Sequence, residues 1–166
     1  MSTLHNKTNF QFQNKLIHEN NTDMYLISLG TRYKYLLVIY GIGLYTSKIP
    51  SNISEILNGN FKKSLVLKFY RDVSTEKVLE SFKEAFLKRN YTNKSKLNEM
   101  HNILNKINAF KYKDEISFIW DTDNIQIYKN KNLLSIINDL EFAKTLFKCY
   151  LDENSITEDL RKNINN

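Results

Sequence analysis

The 166-residue chain is 42% hydrophobic and 13% aromatic, enough for one domain with a sizeable core, too short for two comfortable ones, and unlike a disordered composition. Its formal charge of +6 comes largely from lysines scattered singly, with no basic stripe interleaved with aromatics, so a solvated surface is expected and a nucleic-acid partner is not. A lone cysteine, Cys149, excludes an intramolecular disulfide and favours an intracellular, reducing location, cytoplasmic first with an organelle as the alternative.

The opening MSTLHNKTNF has no apolar stretch of a secretory signal. Residues 1–8 are expected as a flexible end to a single domain spanning 1–166. In NFQFQ, Phe10 and Phe12 alternate with glutamines, which predicts an edge strand with one wet face. Strands are predicted over 24–29 and 33–45, joined through Gly30-Thr31. The second is apolar at both even and odd positions, so a central strand covered on both faces is expected. Gly41 and Gly43 leave one of its faces bare, either for a closely packed element or to make room. The run is β-prone and shorter than the roughly 20 residues of a spanning helix, so no membrane insertion is expected.

A short helix follows over 49–60, capped by Ser51 or Asn52 and closed at Asn58-Gly59, then a strand over 61–70. Ser74 is a helix cap candidate, with Glu76 in the first turn and Val78, Leu79, Phe82, Ala85 and Phe86 forming one apolar stripe. A second helix from about Ser95 places Leu97, Met100, Leu104 and Ile107 on one face. A hairpin is predicted over 115–120 and 125–128 around Thr122-Asp123, with a third strand over 133–137. Asn138-Asp139-Leu140-Glu141 resembles a capping box, opening a helix with Leu140, Ala143, Phe147 and Tyr150, and Ser155 opens a last helix in the same way. Strands, helices, strands, helices, with hairpin-length connections, predict an α+β fold: an antiparallel sheet with helices gathered on one face.

Few residues carry chemistry by spacing alone. His5, His18 and His101 lack metal-ligand spacing, and neither metal nor cofactor is expected. The Asn-x-Ser/Thr triplets at Asn20, Asn52, Asn90 and Asn93 are not read as glycosylated. Cys149, in an amphipathic helix beside Phe147 and Tyr150, reads as packing. Asp72 beside Arg71 is given no chemical role.

Four stretches nevertheless carry a likeness. GTRYKYLLVIYGIGLY, FYRDVSTEKVLESF, DEISFIW and LEFAKTLFKCYLDENSITEDLRKNI resemble the chalcone isomerase-like superfamily in order and spacing, over about 24–164. The resemblance, closest to the compact bacterial and protist branch, implies an open-faced β-sandwich: a large antiparallel sheet backed by a helical layer, with a ligand cleft between. The superfamily holds plant enzymes that cyclise chalcones and non-catalytic relatives that bind fatty acids, an arginine and a tyrosine on the next strand holding the carboxylate. Arg32 falls on that arginine. Tyr40 falls where the fatty-acid binders carry tyrosine and the cyclising enzymes threonine. The cyclising enzymes also need a tyrosine before a helix and an asparagine inside it, and those positions align with Ser74 and Ser81.

Chemistry favours the same side. Cyclisation requires donors aligned on a developing enolate, and two serine hydroxyls reach less far than Tyr and Asn. A carboxylate clamp asks for a planar guanidinium fork and a neutral phenol. The expected site is therefore Arg32, Tyr40, Ser74 and Ser81, and the expected partner a fatty acid or other small carboxylate, with no catalytic residue and the oligomeric state unassigned. The alternative is a chalcone-flavanone-type isomerase acting on a phenolic or enone substrate, with Arg32 as anion stabiliser.

Overall fold

The computed structural model describes residues 1–17 and 21–164, the side chain of Glu158 excepted; His18 and Asn20 lie outside them. In chain order the elements are β1 (Ser2–Leu4), β2 (Gln11–Gln13), β3 (Lys15–Ile17), β4 (Asp23–Lys34), β5 (Leu37–Thr46), α1 (Ile53–Asn58), β6 (Lys63–Phe69), β7 (Val73–Ser74), α2 (Thr75–Leu87), α3 (Lys94–Asn105), β8 (Ala109–Phe110), β9 (Glu115–Asp121), β10 (Asn124–Lys129), β11 (Asn132–Ile137), α4 (Leu140–Leu151) and α5 (Glu158–Lys162). Seven strands form one antiparallel sheet in the order β11-β10-β9-β6-β5-β4-β3. The α+β expectation of a large antiparallel sheet backed by helices holds.

Period-two alternation divides the sheet into two faces. Tyr40, Ile42 and Leu44 of β5, Leu65, Leu67 and Phe69 of β6, and Phe118 and Trp120 of β9 meet Phe82, Phe86, Leu104, Phe142 and Phe147 from the helices. On the reverse face Met24, Tyr45, Val66, Ile119 and Tyr128 gather around Phe12. The first eight residues, expected as a flexible end, are instead built into this second layer. Ser2–Leu4 pairs with Gln11–Gln13, and His5 and Thr8 are buried. Their anchor is a polar cluster: His5 Nε2 lies 2.7 Å from the Gly30 carbonyl, and its Nδ1 lies 2.8 Å from Thr8 Oγ1.

Several local expectations change. No turn occurs at Gly30-Thr31; β4 runs through it, and the hairpin turns at Tyr35-Leu36, between the paired Lys34 and Leu37. Both turn residues have positive φ, 50° and 66°. A two-residue turn of this hand is usually announced by Asn-Gly, so Tyr-Leu gave no warning. Consequently the start of the apolar run is not a covered central strand, and Tyr33, Tyr35, Leu36 and Leu37 are exposed. Gly30 serves close packing: a Cβ there would lie 2.7 Å from Leu160 Cβ of α5. Gly41 and Gly43 make no room for a ligand either. Their bare face is filled by the N-terminal segment, with His5 Nδ1 3.2 Å from a Cβ at Gly41 and a Phe12 ring carbon 2.9 Å from one at Gly43.

Capping follows the sequence at Asn52, Ser74 and Asp139, whose side chains accept from Glu55, Lys77 and Phe142 N–H groups. Ser155 does not cap α5; the cap position is Thr157, whose side chain makes no capping bond to the helix. Ser155 instead accepts the Thr157 N–H and lies 2.6 Å from the Tyr150 carbonyl, shaping the loop before α5. That loop carries Ile156 to the mouth of a cleft.

Candidate ligand cleft

Arg32 on β4 and Tyr40 on β5 are direct cross-strand partners, which puts both side chains on one face of the sheet. That is the helix face, because Tyr40 packs with Ile42 and Leu44 against the helical core. Opposite stands the first half of α2. Ser74, Lys77, Val78, Ser81 and Phe82 recur at helical spacing, one stripe facing the sheet. Between the two lies a cleft of about 440 Å³, within the range of small-molecule sites. Leu37, Ile39, Leu67, Val73, Val78 and Phe82 give it apolar walls. All four residues singled out from sequence line it: Arg32, Tyr40, Ser74 and Ser81.

The Arg32 guanidinium donates through Nη1 to the Ile156 carbonyl at 3.1 Å. Among the described residues no carboxylate lies within ion-pair distance of it. One of its five N–H donors is thus committed to backbone, and no side chain among the described residues compensates the charge of the fork. Tyr40 is buried, with its ring edge-on to Phe69 at 5.5 Å. Its hydroxyl lies 3.2 Å from that of Tyr150 on α4. Burial pushes the Tyr40 phenol up to about 12, although the bond to Tyr150 and the nearby Arg32 pull the other way. Burial likewise drives Tyr150 well above the ordinary value. Both phenols are therefore neutral at physiological pH, and the pair can offer a proton but not a charge.

The two serines differ. Ser74 spends its oxygen accepting the Lys77 N–H at 3.4 Å, as the cap of α2. Ser81 is half-buried within the cleft wall. The chemistry available is anion binding by a guanidinium, assisted by neutral hydroxyls, above an apolar slot.

Sequence reasoning missed four contributors. Tyr150 lies one position from the buried Cys149 and was indistinguishable from the other core aromatics of α4. Lys34, Arg71 and Lys77 stand at the opening with Arg32. Arg71 is oriented by its Nε, which donates to the Val38 carbonyl at 2.7 Å. The single acid in the lining, Asp72, is already engaged by Lys111 at 3.0 Å and by the Tyr112 N–H at 2.9 Å. Scattered in sequence, these cations converge only once the hairpin and α2 are folded together. Cys149, read as packing, is buried; burial pushes its thiol up to about 12, and it donates to the Thr145 carbonyl.

The residues thus build an antiparallel sheet with a helical layer on one face and, between the two, an apolar cleft lined by Arg32, Lys34, Arg71 and Lys77. The family model of chalcone isomerase-like proteins matches residues 6–164, so the chain belongs to that family. No curated protein sequence matches it. Among solved structures it is similar to the crystal structure of an Arabidopsis thaliana fatty-acid binding protein, AtFAP1, with a TM-score of 0.85 and 16% identity over 99% of this chain and 95% of that one. That likeness establishes the fold. Among the described residues, no helix is long and apolar enough to cross a membrane.

Proposed function

We propose that this protein binds a fatty acid or similar carboxylate lipid without transforming it, as a member of the non-catalytic branch of its family. Arg32 and Tyr40 hold the carboxylate, and the tail lies between sheet and α2. The observation that carries this reading is an Arg32 that no carboxylate among the described residues pairs, beside a neutral buried phenol, both facing an apolar slot. Half-burying a cation without a carboxylate partner is costly unless an anion supplies the charge. A guanidinium with donors to spare and a phenolic O–H suit a carboxylate. The similar fold of a protein named for fatty-acid binding supports the same ligand class. Ser74, tied to the helix end, and Ser81 contribute hydroxyls to the wall rather than the longer donors that chalcone cyclisation requires.

Native mass spectrometry of the purified protein tests this directly. A copurified or added fatty acid is expected as an adduct on the natural protein, reduced on the order of a hundredfold in affinity by Arg32→Ala. Equal occupancy in both would remove the clamp. Chalcone turnover above the spontaneous rate, lost in the same variant, would replace binding with catalysis.

A further inference from the structure

The β4–β5 hairpin departs from ordinary turn chemistry in two respects. Tyr35 and Leu36 occupy left-handed backbone, with φ of 50° and 66°, where Asn and Gly carry the least strain. The same residues face water: Tyr35 is 87% and Leu36 96% exposed, flanked by Tyr33 at 40% and Leu37 at 49%. A solvated turn has no packing reason to keep two bulky residues in strained conformations. Strain of this kind, together with a contiguous exposed apolar tip, points to a surface that something else covers.

What covers it is indicated by the surroundings. Tyr35 and Leu37 form the lip of the cleft, and Arg32, Lys34, Arg71 and Lys77 ring the same opening. Asp72 is held by Lys111, and Glu84, which feels Arg32 and Lys34, is paired with Lys88 at 2.9 Å. The tip is thus amphipathic, set among cations that no carboxylate of the described residues pairs. Two copies meeting tip to tip would bring four cations against four. Tyrosines and leucines beside lysines suit the boundary between hydrocarbon and anionic headgroups, where Tyr rings straddle the interface and Lys stems reach back to phosphate.

We propose that this hairpin is a membrane-docking tip. Tyr33, Tyr35, Leu36 and Leu37 enter the headgroup layer of an anionic bilayer, Lys34, Arg71 and Lys77 bind its phosphates, and the mouth of the cleft is presented to the lipid. The purpose, exchange of a lipid between bilayer and cleft, rests on the function proposed above; the docking itself does not.

Flotation with phosphatidylcholine vesicles, with and without phosphatidylserine, tests it. The protein is expected to float with the phosphatidylserine vesicles and to be released by salt. Leu36→Gly, outside the cleft lining, is expected to weaken partitioning about tenfold. The same change should raise the thermal midpoint, because glycine suits this backbone, and should leave the fatty-acid adduct intact. Lys34→Gln is expected to weaken binding to phosphatidylserine vesicles while leaving plain phosphatidylcholine unchanged. No flotation with phosphatidylserine, or undiminished flotation of Leu36→Gly, overturns the proposal. So does a self-associated species in the natural protein that Leu36→Gly abolishes without any vesicle binding. Absence of a fatty-acid adduct while vesicles still bind defeats the cleft reading alone.

Discussion

At the scale of single residues, the molecule depends on where a proton or a charge can sit. His5 is the clearest case. Its Nε2 faces the Gly30 carbonyl, so the neutral ring carries its hydrogen there and keeps Nδ1 as acceptor for the Thr8 N–H and hydroxyl. Burial lowers its pKa from 6.5, while the Gly30 carbonyl and Asp159 oppose that shift. Because the folded value lies below the unfolded one, the unfolded chain binds the additional proton as pH falls. Stability is therefore full above the unfolded value and is lost on acidification through it. Urea midpoints measured from about pH 7.5 to about pH 5 should fall, and the His5→Gln variant should show a flatter dependence. Tyr40→Phe addresses the other buried donor. It strands the Tyr150 hydroxyl and should cost about 1–2 kcal/mol in chemical unfolding, besides weakening any carboxylate ligand. Arg32 and Tyr40 were legible in the sequence because a motif carried them. Tyr150 was not, since a core-facing phenol on a helix looks like any other aromatic until its partner strand is placed.

At the scale of elements, β4 and its neighbours decide the geometry of the cleft. Among the described residues, no strand pairs with the outer side of β4 beyond Tyr25. Its carbonyls are met instead by side chains: His5 at Gly30, and Asn163 Nδ2 at Leu29, 3.2 Å away. On the cleft side α5 lies against Gly30, and Ser28 donates to the Leu160 carbonyl at 2.7 Å. This docking fixes the segment whose Ile156 carbonyl receives Arg32. Gly30→Ala would place a methyl 2.7 Å from Leu160 Cβ and 2.8 Å from its backbone nitrogen. An overpacking loss of about 1–3 kcal/mol is expected in thermal or urea unfolding, together with weaker ligand retention as α5 shifts. The helices α1 to α4 were readable from caps and stripes, and the β9–β10–β11 meander from alternation and a short turn. The β4–β5 boundary was not, because glycine marked a close helix contact and the real turn used residues that ordinarily avoid it.

At the scale of the whole molecule, the sheet supports two layers of unequal kind. One is the broad helical core with the cleft at its margin; the other is a small cluster built around Phe12 under the N-terminal segment. Nothing in MSTLHNKTNF distinguished such a strap from a loose end. Its hydrophobic content is low, and its hold depends on Gly41 and Gly43, far along the chain in β5. Removal of residues 1–13 is expected to expose Met24, Tyr45 and Val66, lower stability by at least about 3 kcal/mol, and raise binding of a hydrophobic dye. The cleft lining, which lies on the opposite face, should survive if the truncated chain is held folded by osmolyte.

Gly30 and Thr31 are gripped from one side by residue 5 and from the other by residue 160. During synthesis on the ribosome, the strand bearing Arg32 therefore emerges early but stays unfinished until residues 156–163 have left the exit tunnel. A nascent chain halted short of that point has all the strands of the sheet but lacks the Ile156 carbonyl that receives the Arg32 guanidinium.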